Sequence, residues 1–129
     1  MRFTHIRQST PTGCGIACLA MVANVKLSDA TIALFGDSQP NDARTQWSDM
    51  KRGMKALGIE CRGRPKRVSK WDGIEGVALV AVSRVGDKWH WVLYDAFDGL
   101  VYDPMKDSPT QRKRSRRKLV SFLPLRVAQ

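Results

Sequence analysis

Residues 8–18 read "QSTPTGCGIAC". The run that follows, "CGIACLAMVANV" from Cys14 to Val25, is apolar on nearly every face. A helix of that kind has no side to show to water and belongs at the centre of a domain. Thr12 or Gly13 stands where a cap is needed. The pattern predicts a buried central helix with Cys14 in its first turn. There the unbonded N–H groups and the positive end of the helix dipole favour a thiolate over a thiol. Gly13 and Gly15 keep bulk away from the sulfur, which leaves room for a substrate backbone. The commoner fate of a cysteine is burial as a small apolar side chain. Cys18, one turn further on, fits that role, and Cys61 carries no local signal either way.

Outward from this helix, "LSDATIALFG" reads as a second one, with Ser28 as N-cap and Gly36 as terminator. "DSQPND", 37–42, is a loop. A third helix starts near Thr45, carries Trp47, Met50, Met54 and Leu57 on one face, and stops at Gly58. Those side chains suit an ordinary core better than a cofactor face. After Gly58 the period becomes two. "IECR", "VALVAVSRV", "KWHWVLYD", "LVYD" and "LVSFLPL" read as strands. Gly86-Asp87 marks a tight hairpin turn and Asp98-Gly99 a second one. Helices first and an antiparallel sheet second indicate an α+β fold. The length of 129 residues suits one domain over 1–129.

Composition narrows the classes. No apolar run approaches the ~20 residues that span a bilayer, and "MRFTHIRQST" has neither the apolar region nor the cleavage site of a secretory signal. Three cysteines, an odd number, argue against a disulfide framework and for a reducing, cytoplasmic setting. The net charge is +10, but residues 1–107 hold 15 Lys and Arg against all 12 Asp and Glu. The excess therefore lies mostly in "RKRSRRK", Arg112 to Lys118, with a smaller cluster at Arg62, Arg64, Lys66, Arg67 and Lys70. Basic runs attract phosphates and acidic partners. No nucleic-acid motif accompanies this one, so nucleic acid or an acidic partner is a secondary expectation and a solvated loop the plain one.

A cysteine nucleophile needs a base within reach and a group that orients the base. The chain has two histidines. His5 lies in an N-terminal extended segment without a carboxylate partner. His90 lies in "KWHWVLYD", an apolar setting that suits either a satisfied core imidazole or one presented at a cleft. If this strand and "LVYD" pair through "AFDG" with Asp95 opposite Leu100, or instead through a two-residue turn at Asp98-Gly99, either register puts His90 and Asp103 on one face. Diagonal neighbours lie ~7–8 Å apart between backbones, within reach of an Asp–His hydrogen bond. Asp95 and Asp98, at the strand end and in the turn, are worse partners. Cys-x3-Cys with a distant Cys and His forms no zinc pattern, and "TGCG" lacks the Lys and spacing of a phosphate loop, so neither metal nor cofactor is expected.

"Q8-x5-C14-G15-x-A17-C18-L19-A20-M21", with "H90-W-V-L-Y" and "V101-Y-D103-P104", resembles the double-glycine leader peptidases. These are papain-like cysteine peptidases that process bacteriocin precursors, often as the N-terminal domain of an ABC exporter. The similarity runs over roughly residues 4–105 in one linear order and includes "LSDATIALFG" and "WSDMKRGMKALGIECRG". It implies a papain-like fold, Cys14 as nucleophile, His90 as base and Asp103 as its orienting group. It also implies that Gln8 and the Cys14 backbone N–H form an oxyanion hole; nothing else would distinguish Gln8 from a surface residue. The expected reaction is peptide hydrolysis through a thioester by a free-standing domain, on a peptide or protein substrate. The alternatives are an isopeptidase, deamidase or transglutaminase of phage or effector type, an inactive peptide-binding module, and a basic nucleic-acid binder.

Overall fold

The helices and strands follow from where the apolar residues fall. The computed structural model describes residues 1–38, 40–83 and 89–127. Three helices come first: α1 (Cys14–Ala23), α2 (Leu27–Phe35) and α3 (Trp47–Ala56). The strands follow: β1 (Glu60–Cys61), β2 (Lys66–Arg67), β3 (Val77–Ser83), β4 (Trp89–Asp95), β5 (Leu100–Tyr102), β6 (Thr110–Gln111) and β7 (Leu119–Arg126). All the strand pairings are antiparallel. The sheet order is β1-β7-β3-β4-β5-β6, with β2 also on β7. This is the α+β architecture expected from the order of the patterns.

Alternation along β3 and β4 divides the core in two. Leu79, Ala81, Trp91 and Leu93 pack under the helices with Leu19, Met50 and Met54. Val80, Val82, Val92 and Tyr94 face the other side, where Ile74, Leu119 and Phe122 cover them. α1 is buried along its whole length except at Ile16 and Ala23, as its all-round apolar surface requires. Among the described residues no single helix is long and apolar enough to cross a membrane.

Several boundaries differ from the sequence reading. Ser28 is not the cap of α2: the helix starts at Leu27, Lys26 is extended, and the Asp29 carboxylate accepts the Lys26 N–H. α3 starts at Trp47 rather than near Thr45, because Asp49 accepts the Gln46 N–H at 2.8 Å and sets the first turn there. β2 and β6 are two residues each, too short to show a period. The Gly86-Asp87 turn lies outside the described residues. The pairing around it is plain: Ser83 opposes Trp89. Asp95 opposes Leu100, the register on which His90 and Asp103 share a face.

The glycine after Cys14 has a different job from the one its position suggested. A Cβ on Gly15 would fall 2.5 Å from Thr45 Oγ1, 3.0 Å from Met50 Sδ and 3.3 Å from Trp91 Cδ1. That hydroxyl accepts the Trp91 indole N–H at 2.9 Å and lies against Met50 Sδ. Gly15 thus seats α1 against the sheet and α3 rather than clearing the sulfur for substrate. Gly15→Ala should lower the unfolding free energy by up to ~2 kcal/mol, an overpacking cost of ~1–3 kcal/mol outweighing alanine's ~1 kcal/mol helix advantage. Urea unfolding measures it, and an unchanged or higher midpoint contradicts the packing role.

Candidate active site

β5 ends at Tyr102 opposite Leu93, so among the described residues no strand lies beyond β4 at its first residues. Pro104 cannot continue the ladder, and the chain turns there, with the Lys106 N–H donating to Asp103 O. α1 packs across β4, and the Cys14 thiol lies close enough to the backbone N–H of Trp91, on this uncovered stretch, to feel it. In this way an N-terminal helix and an early sheet residue meet at one edge, and the Asp-Pro turn delivers Asp103 beside them.

Cys14, His90 and Asp103 come together, 8%, 0% and 3% exposed. His90 Nε2 lies 2.7 Å from Asp103 Oδ1. A carboxylate only accepts, so Nε2 carries the proton and donates. The second ring nitrogen, Nδ1, is buried and makes no well-aligned hydrogen bond among the described residues. It is the atom left to exchange a proton with the Cys14 thiol, which interacts with the ring.

The electrostatics follow from these contacts. Burial pushes the Cys14 thiol up, but the neighbouring His90 ring and its charge and the N–H groups of Trp91 and Gly15 outweigh it, so its pKa is lowered. Burial pushes His90 down, yet Asp103 and Cys14 hold it above the ordinary imidazole value. Asp103 is also opposed by burial, but His90, the Met105 N–H and Arg117 bring it to about 2. The two shifts, one down and one up, favour a thiolate–imidazolium pair. Cys18 is the opposite case: fully buried and near Cys14 and Asp103, it stays protonated far above the usual thiol range. Burial also raises Cys61.

One contact had no sequence signal. Arg117 Nε donates to Asp103 Oδ2 at 2.9 Å, while His90 and the Met105 N–H donate to Oδ1. Arg117 is one of six cations in the run 112–118, and spacing alone does not single it out. Arg112, in the same run, pairs with Asp72. The segment is therefore tied to the domain at two points rather than being only a solvated loop.

Gln8 stands differently. Its amide Nε2 donates to the carbonyls of Thr10 and Pro11 at 2.9 and 3.2 Å, and its Oε1 is buried without a partner. Its backbone N–H donates to Pro104 O, which ties it to the Asp-Pro turn. His5 Nε2 donates to Lys106 O at 2.7 Å. Asp95 is buried at the far end of β4, where it takes Arg2 at 3.0 Å. Among the described residues no group of three or more His, Cys, Asp or Glu could hold a metal ion. A cavity of about 420 Å³ opens beside Cys14, walled by Trp89, Trp91, Thr45, Arg44 and Asp49.

Among solved structures, the chain is similar to the peptidase domain of Streptococcus ComA, a bi-functional ABC transporter involved in a quorum-sensing pathway. The likeness has a TM-score of 0.67 at 17% identity and covers 94% of this chain and 96% of that one. At that identity it shows the fold. No curated protein matches the sequence. The model of the peptidase C39 family matches residues 2–117, and the chain belongs to this family of cysteine peptidases.

Proposed function

We propose that the chain cleaves a peptide bond by nucleophilic attack of the Cys14 thiolate, with the papain-like division of labour. His90 holds the proton as imidazolium and delivers it to the leaving amine; the acyl group stays on Cys14 as a thioester. Water, deprotonated by the now neutral His90, then releases the acid and restores the thiol. Asp103 keeps the ring in the tautomer and orientation this needs. The observation that carries the reading is the His90–Asp103 bond beside a buried thiol of lowered pKa.

The Cys14 backbone N–H, in the first turn of α1, is one donor for the oxyanion. Gln8 is assigned as the second on the strength of the motif. Its amide must turn from the carbonyls of Thr10 and Pro11 to reach it, and a partnerless Oε1 makes its present position a poorly satisfied one. The substrate is assigned as a peptide cut after a Gly-Gly pair on the strength of the same motif, with the cavity lined by Trp89 and Trp91 beside Cys14 as its place of binding.

Mass spectrometry of a peptide panel with and without Gly-Gly tests this. Fragments ending in Gly-Gly are the expected product. A panel left intact but deamidated or joined to added amines would replace the peptidase by a deamidase or transglutaminase.

A further inference from the structure

Asp103 borders a second cavity, of about 450 Å³, that shares no lining residue with the cavity beside Cys14. Asp103 and Val101 contribute to its wall, and Lys106, Thr110, Arg114, Ser115, Arg116 and Arg117 line the rest. Its only carboxylate is engaged by His90 and Arg117. The nearby acids are also taken: Asp107 pairs with Arg7 and Asp72 with Arg112. Among the described residues no ion pair neutralises Lys106, Arg114 or Arg116.

Three uncompensated cations and a fourth facing one hollow repel each other, and an anion between them relieves that. Guanidinium groups present paired N–H donors that match the oxygens of a phosphate, and the hydroxyls of Thr110 and Ser115 add neutral partners. Arg117 spends Nε on Asp103 and Nη2 on Met105 Sδ. Its Nη1 remains for a ligand. The charges converge on a cavity rather than extend along a face, which favours a small ligand over a polymer backbone.

We propose that this cavity binds a small polyvalent oxyanion of the phosphate class, and that Arg117 is shared between the anion and Asp103. Occupancy is then felt at the carboxylate that orients His90. The binding claim does not depend on the reading of Cys14 as nucleophile, and its test involves no turnover.

Titration of isotope-labelled protein with inorganic pyrophosphate, at ionic strength held constant with sodium chloride, reads the Arg117 Nε–H resonance. A saturable shift is expected, and Arg114→Gln with Arg116→Gln should weaken binding at least tenfold while the backbone amide spectrum stays dispersed. A shift that does not saturate, or equal affinity in the double variant, overturns the site. Saturable binding that leaves the Arg117 resonance unmoved overturns the sharing. A short single-stranded oligonucleotide that binds far more tightly than pyrophosphate, and loses this in the same variant, overturns the small-ligand assignment.

Discussion

His90→Ala is expected to lower kcat/KM for peptide cleavage by on the order of 10⁴-fold. It should also slow iodoacetamide alkylation of Cys14 near neutral pH to a rate no faster than that of Cys61. Burial alone raises the Cys14 pKa, and the two largest opposing effects both come from His90. Without the ring only the N–H groups of Trp91 and Gly15 resist burial. The thiol then titrates at higher pH and its reactivity moves with it. The proposed mechanism requires the lowered thiol pKa to lie below the raised imidazole pKa, so that the productive pair appears as pH rises through the first and is lost as it rises through the second. The pH profile should be a plateau between those limits. Because His90 is fully buried, alanine leaves a hole, so His90→Gln serves as the fuller-sized partner. If Cys14 in either folded variant still alkylates at the wild-type rate, the imidazole does not activate it.

The second large effect concerns Asp103. Three donors meet this carboxylate: His90 and the Met105 N–H at Oδ1, Arg117 Nε at Oδ2. An asparagine offers one acceptor and one amino group. Turned to satisfy His90 and Met105, it sets its NH₂ against the Arg117 N–H. Asp103→Asn should therefore cost on the order of 10³-fold in kcat/KM, more than loss of charge alone explains. In an Arg117→Met background the same change should cost about tenfold less, the signature of a coupled pair. Arg117→Met alone should shift the alkaline limb of the pH profile upward. With the guanidinium gone, the full charge of Asp103 acts on the imidazolium and holds its proton longer. An equal cost of Asp103→Asn in both backgrounds, with no movement of that limb, would reduce Arg117 to a surface cation.

The residues that could be placed from sequence were those under a strong periodic constraint. An all-apolar helix starting at Cys14 has one place to go. The four-residue loop 96–99 places Asp95 opposite Leu100, and either loop length weighed from sequence put His90 and Asp103 in phase. What escaped was short or depended on contacts across the fold. β2 and β6 have too few residues for a period. Ser28 is a good capping residue, but Asp29 one position on held the start of α2. Gly15 looked like clearance for a substrate until Thr45, Met50 and Trp91 were seen around it. Arg117 was one cation among six, and only the path of the chain from β6 to β7 sets it against Asp103. For Gln8, the motif suggested a donor, whereas the geometry shows an amide held by its own loop.

The position of β7 bears on when the protein becomes competent. This strand, 119–126, lies inside the sheet, and among the described residues β1 and β2 have no other partner strand. During synthesis the helices and the β3–β4 hairpin can leave the ribosome and collapse well before it does. Until β7 inserts, β1 and β2 stay unpaired and nothing fixes the approach of Arg117 to Asp103. Long-range pairing of this kind is slow compared with local structure. A nascent chain would thus carry Cys14 and His90 without their finished surroundings, and proteolytic capacity would arrive as one of the last events of folding.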